Sequence, residues 1–291
     1  MTNDPQLLIA DSEVVRPPVN LEPARLVGQR VAANLLLGLF GVLFALPMLW
    51  LVLASLDSQA TWSIEIPQFT LKNFTSAFSE NGYSLYNSLV LGVVSTVIAT
   101  GAGTLGAYAL SRKRIPWKGP LLLGVLFLSG FPLSILIIPI YQMFATVGWL
   151  SLLPCALFLS ITSLPFEIYL IKNFIDAVPE DLEEAARVER ASTLQVLLRV
   201  VLPLSLPGIG AAAIYGFVNS WGSFLVPLVL IGSPSDYPGP IAIFGYIGAA
   251  HVEYGNIAAF SLIYALPVVL LYAASSRLFS GGFVLAGAVR G

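Results

Sequence analysis

Along this chain, apolar runs of about 20 residues or more alternate with short polar stretches. A helix needs roughly that many apolar residues to cross a hydrocarbon core about 30 Å thick. The segments 31–56, 85–110, 119–144, 150–171, 204–231 and 257–279 all qualify. They lack the strict polar alternation of barrel strands, and backbone groups in lipid must be satisfied within their own segment. All six are therefore predicted to be helices, giving an all-α integral membrane fold with six transmembrane helices over residues 31–279. Residues 1–30 are polar, carry Pro5, Pro17, Pro18 and Pro23, and read as a mobile N-terminal tail ahead of an uncleaved first span. Residues 280–291 read as a second tail.

Composition agrees. The chain of 291 residues is 57% hydrophobic and 10% charged, whereas soluble domains carry roughly 25% charged residues. The net charge of −2 matters less than where the charges sit. Thirteen of the 14 Lys and Arg residues fall at one side: Arg16, Arg25 and Arg30; Arg112, Lys113, Arg114 and Lys118; Lys172, Arg187, Arg190 and Arg199; Arg277 and Arg290. Lys72 alone falls at the other. The positive-inside rule then predicts both termini cytoplasmic, with 57–84, 145–149 and 232–256 outside. Cys155, in an apolar run without a disulfide partner, reads as a small packing residue.

One cytoplasmic loop, 173–203 between the fourth and fifth spans, departs from the apolar background. Its sequence predicts a helix after Pro179, with Glu180, Asp181, Glu183 and Glu184 near the N-terminus, where the helix dipole favours acids. Leu182, Ala185, Ala186 and Glu189 share a face at helical spacing, thinned by the two alanines. Ser192 and Gln195 form a capping box opening a second helix through "LQVLLRVV", and Pro203 and Pro207 mark its bend into the fifth span. On spacing alone this is either a solvated surface loop or a docking knob for a soluble partner.

Glu184-Ala185-Ala186 followed by Leu202-Pro203 resembles the EAA motif of ABC-importer membrane subunits, with Arg190 at the usual glycine position and Val200 at the usual isoleucine. Glycine ends the first helix there in the left-handed region, which costs a residue with a Cβ roughly 1 kcal/mol. "IPQFTLKNFTSAF" (66–78), "NSLVLGVVSTVIATGAGTLGAYALSRKRIPWKG" (87–119), "IPIYQMFATVGWLSLLPCALFL" (138–159), "NSWGSFLVPLVL" (219–230) and the terminal "GGFVLAGAVRG" are similar, in order, to segments of maltose-type carbohydrate-uptake permeases. The resemblance implies a permease half. Its expected partners are a second, related permease chain, two cytoplasmic ABC ATPase subunits, an extracytoplasmic sugar-binding protein and membrane lipid, with no nucleic acid.

It further implies that Leu182, Glu183, Glu184, Ala185, Ala186, Glu189 and Arg190 couple the chain to an ATPase, and that ATP and Mg sit on that partner. The glycine-rich end (Gly281, Gly282, Gly287, Gly291) would reach between the ATPase subunits. No phosphate-cradling G-x-x-x-x-G-K-[ST], H-E-x-x-H or paired-cysteine pattern occurs, so no cofactor, metal or catalytic role is expected of this chain. The one histidine, His251, reads as a solvated loop residue beside Glu253.

For a sugar, aromatic faces and amide or hydroxyl groups are the natural contacts. Tyr215, Asn219 and Ser223 lie four apart on one stripe, and Trp221, Asn87 and Gln142 add further candidates. The same polar residues also suit packing between membrane helices. Glu167 is an ionisable residue within a span and so a candidate functional site. Five residues before Lys172, it is expected to snorkel to the interface or pair with a basic loop residue. The competing function is an ion-coupled secondary transporter or channel in which Glu167 carries the ion. An intramembrane enzyme lacks a nucleophile–base pair.

Overall fold

The computed structural model describes residues 22–63, 66–130, 132–248 and 252–288. His251, Gly291 and the tail ahead of Glu22 lie outside the described residues. The chain divides between Trp50 and Leu51 into two units. The first is the greater part of α1 (Glu22–Ser55), an apolar helix whose side chains such as Leu35, Leu37 and Phe44 are exposed.

The second unit is a helical bundle. Its elements are α2 (Lys72–Arg112), α3 (Lys118–Ser129), α4 (Ile137–Thr146), α5 (Leu152–Asp176), α6 (Glu180–Val188), α7 (Thr193–Val196), α8 (Leu202–Leu204), α9 (Leu206–Trp221), α10 (Leu225–Leu230), α11 (Gly239–Gly245) and α12 (Tyr254–Ala288). Helices α2, α5 and α9 pack together as its centre. On this centre, α12 lies against α2 and α9, α3 against α5, and α10 against α4 and α5.

Among the described residues, four helices are long and apolar enough to cross a membrane, or five if the pair Thr193–Leu204 and Leu206–Trp221, bent by 80°, is one span. Two predicted spans are interrupted. The 119–144 segment breaks after Ser129, because Gly130 and Pro132 end α3 and a 3-10 turn at Leu133–Leu136 precedes α4. The 204–231 segment stops at Gly222 and resumes at Leu225 as the short α10. Helix α2 is longer than expected, starting at Lys72 and kinking at Asn81, and α12 runs as helix to Ala288, through three of the four glycines of the expected tail.

Close approach sets the central crossings. A Cβ on Gly208 would fall 2.2 Å from Phe174, and one on Gly216 would fall 2.4 Å from Glu167 Oε1. Bare backbone at these two positions lets α9 lie against α5. Cys155 is fully buried against Leu91, Phe144, Leu159 and Leu230, in the packing role expected of it.

Candidate functional site

The acidic loop forms two short helices as its sequence predicts. Pro179 stands at the N-cap position of α6, whose first turn holds Glu180, Asp181 and Glu183. The helix ends in a Schellman turn. Arg190 lies at φ 65°, its N–H donating to Arg187 O (2.9 Å), while Ala191 N–H donates to Ala186 O (3.0 Å). The left-handed position usually given to glycine is thus taken by arginine with its hydrogen bonds intact. Ser192 then caps α7 reciprocally with Gln195: Gln195 N–H donates to Ser192 Oγ at 3.3 Å, and Ser192 N–H donates to Gln195 Oε1 at 2.8 Å. A π-turn at Leu197–Val201 leads into α8. Pro203 offers no N–H and its ring crowds the carbonyl of Arg199, which a wider turn relieves.

The two faces of α6 differ sharply. Glu183 is 1% exposed. Its Oε1 accepts from Arg112 Nε at 2.6 Å, and its Oε2 accepts from Tyr108 Oη at 3.2 Å and Arg187 Nη2 at 3.4 Å. Ala186 packs beside Ala191 on a core of Tyr108, Ile171, Ile175, Val196 and Val201. Leu182, Glu184, Ala185, Val188, Glu189 and Arg190 are exposed on the outward side. Removing one partner from a buried ion pair typically costs about 3–5 kcal/mol, so the inner face is firmly held. Arg112, which signals only topology in the sequence, proves to be the residue that seats this helix.

Glu167 neither snorkels nor, among the described residues, pairs with a basic side chain. It is 0% exposed between α2, α5 and α9, where Thr100 Oγ1 donates to Oε2 at 2.8 Å. The absent side chain of Gly216 leaves room for Oε1. Lys172, the nearby base in sequence, instead bonds Asp176. The helical turn directs Glu167 inward and Lys172 towards its own i+4 carboxylate, which spacing along the chain does not reveal.

The polar candidates separate into two sets. Asn87 is buried, its Nδ2 donating to the carbonyls of Ser235 (2.8 Å) and Tyr237 (3.2 Å). Trp221 is buried too, stacked on Phe217 and Tyr264 with centroids at 5.4 and 4.6 Å. Tyr215 and Asn219 are exposed one turn apart on α9, Ser223 is half-buried beyond them, and Tyr215 packs on Phe166 at 4.4 Å. Gln142 is exposed on α4. Burial pushes the Tyr246 hydroxyl up to about 12, against an opposing hydrogen bond from Asn81 (2.6 Å).

Several helices long and apolar enough to cross a membrane define a multi-pass membrane protein. Residues 99–280 match the family described as "Binding-protein-dependent transport system inner membrane component", and the chain belongs to that family. Its members are permease subunits that do not themselves catalyse; a partner ATPase hydrolyses ATP. The chain is 32% identical to the trehalose transport system permease protein SugB of Mycobacterium tuberculosis over 84% of its length and 92% of that protein. It is 30% identical to the sulfoquinovosyl glycerol transport system permease protein SmoH of Agrobacterium fabrum, over 90% and 93%. In fold it is similar to a chain from the crystal structure of a bacterial ABC transporter involved in the import of the acidic polysaccharide alginate. That likeness has a TM-score of 0.75 at 20% identity, over 90% of this chain and all of that one.

Proposed function

We propose that this permease subunit forms half of the membrane path for a sugar or related solute, and is driven by an ATPase docked on α6. The observation that carries this reading is the two-sidedness of α6. Its inner face is locked to α2 and its outer face presents Leu182, Glu184, Ala185 and Glu189. A short helix held on one side and free on the other transmits a partner's motion as a rigid body. Glu183 belongs to the inner attachment, and the exposed residues with Arg190 to the docking surface.

Six spans follow if α3 with α4 counts as one interrupted crossing and α9 with α10 as another. With lysine and arginine gathered around α6, the loop and both termini are cytoplasmic. A second, related permease supplies the other half of the path, two ATPases carry ATP and Mg, and an extracytoplasmic binding protein delivers the solute. The exposed Tyr215, Asn219 and Gln142 meet the solute, Ser223 borders them, and the buried Asn87 and Trp221 hold the wall behind them. The relatives named for trehalose and sulfoquinovosyl glycerol transport support a carbohydrate-like substrate.

The test is uptake of radiolabelled trehalose and other disaccharides into proteoliposomes bearing the whole importer and its binding protein. Uptake that requires internal MgATP supports the proposal. Uptake that persists without ATP and follows an ion gradient favours the ion-coupled alternative.

A further inference from the structure

Helix α6 is joined to α5 by a short covalent connection, Ala177–Pro179, but to α2 only through side chains. Arg112 ends α2, and its side chain is 7% exposed. Nε donates to Glu183 on α6, Nη1 donates to Ser111 Oγ at 2.9 Å, and Nη2 donates to the carbonyls of Ile175 (2.9 Å) and Val178 (2.7 Å). Those carbonyls sit at the C-terminal end of α5, where a cation is favoured by the helix dipole. Glu180 comes within 3.9 Å of Nη1.

The network closes around this group. Ser111 Oγ donates to Asp176 Oδ1 at 2.5 Å, Lys172 bonds the same carboxylate, and Lys118 Nζ donates to Ser111 O at 3.2 Å. One planar guanidinium therefore ties three helices, and its fork of fixed donors does what an ammonium cannot. Besides Arg112, Tyr108 gives the other polar link from α2 to α6 among the described residues, at 3.2 Å.

We propose that Arg112 is the positioning residue that makes α6 and the adjoining ends of α2 and α5 a single moving body. A push on α6 then reaches α2 as well as α5. Without Arg112, α5 still follows through the chain and α2 lags. This rests on α6 being the ATPase-docking helix.

The test uses the assembled importer with spin labels on Lys113→Cys and Asp181→Cys, both exposed, in a Cys155→Ala background. The distance between the labels is measured by pulsed electron resonance, without nucleotide and with MgATP plus vanadate. With Arg112 present, one narrow distance is expected in both states. With Arg112→Gln it broadens without nucleotide and shifts on trapping, while the complex still hydrolyses ATP. Should Arg112→Gln fail to accumulate, Arg112→Lys keeps a cation near Glu183 but loses the fork, and the same broadening is expected. A narrow, unmoved distance in either variant, or a nucleotide-dependent distance in the parent, overturns the proposal. A parent complex that contains no ATPase defeats the docking reading instead, and the nucleotide-free widths still decide the clamp.

Discussion

Trp221 and Tyr264 hold each other twice. The indole Nε1 donates to the Tyr264 carbonyl at 3.2 Å, and the Tyr264 hydroxyl donates to the Trp221 carbonyl, with Ser88 Oγ 3.3 Å away. The rings stack between these two bonds. At the C-terminus of α9 the Tyr264 hydroxyl thus satisfies one carbonyl that a helix end leaves open, that of Trp221. Tyr264→Phe keeps the stack and removes the hydroxyl. Polar contacts between membrane helices average about 0.6 kcal/mol, so thermal unfolding of the purified complex should show a loss of that order. No loss would mean that the hydroxyl contributes nothing to joining α9 to α12.

Glu167 and Gly216 should be energetically coupled. Gly216→Ala drives a methyl group into Oε1, and overpacking of this kind costs about 1–3 kcal/mol. In a Glu167→Ala background the space is free and the same change should cost much less. Additive effects in the double-mutant cycle, read by thermal unfolding, would contradict the packing described here.

Arg190 should improve on replacement by glycine. Its φ of 65° is costly for a residue with a Cβ and free for glycine, while its exposed side chain sacrifices little. Arg190→Gly is expected to stabilise the loop by up to about 1 kcal/mol, visible as slower proteolysis between α6 and α7. Faster cleavage would show that the arginine side chain makes a contribution larger than the strain.

Glu184 should matter to assembly and not to insertion. It is exposed on α6, so Glu184→Lys leaves the seat on Arg112 intact while reversing a charge at the proposed interface. Truncating a paired interface charge costs roughly 2–5 kcal/mol, so ATPase retained through purification should fall at least about tenfold. Normal retention in the variant would remove Glu184 from the docking surface.

The loop around α6 was legible in the sequence because its signals are local. Pro179, the acidic first turn, the Ser192–Gln195 box and the unusual Arg190 each act within a few residues of themselves. The apolar spans are legible by length, but their interruptions at Gly130–Pro132 and Gly222 are not, since apolar composition continues through both breaks. What could not be read was which side of a helix faces in. Glu183 and Glu184 are neighbours of one chemistry, and the positions of Tyr108 and Arg112, far away in the chain, separate the buried one from the exposed one. The inward setting of Glu167 is hidden in the same way, because its neighbours Thr100 and Gly216 lie on other helices. Of the six candidates for the solute path, Asn87 and Trp221 are held in packing contacts, Tyr215, Asn219 and Gln142 are exposed, and Ser223 is half-buried.

Whether α6 carries an ATPase is decided by purifying the chain from its native membranes in mild detergent and identifying its companions by mass. A nucleotide-binding ATPase and a second permease are expected in the eluate, the ATPase depleted when Glu184 is replaced by lysine. A chain that emerges alone, or only with copies of itself, would contradict ATPase docking on α6.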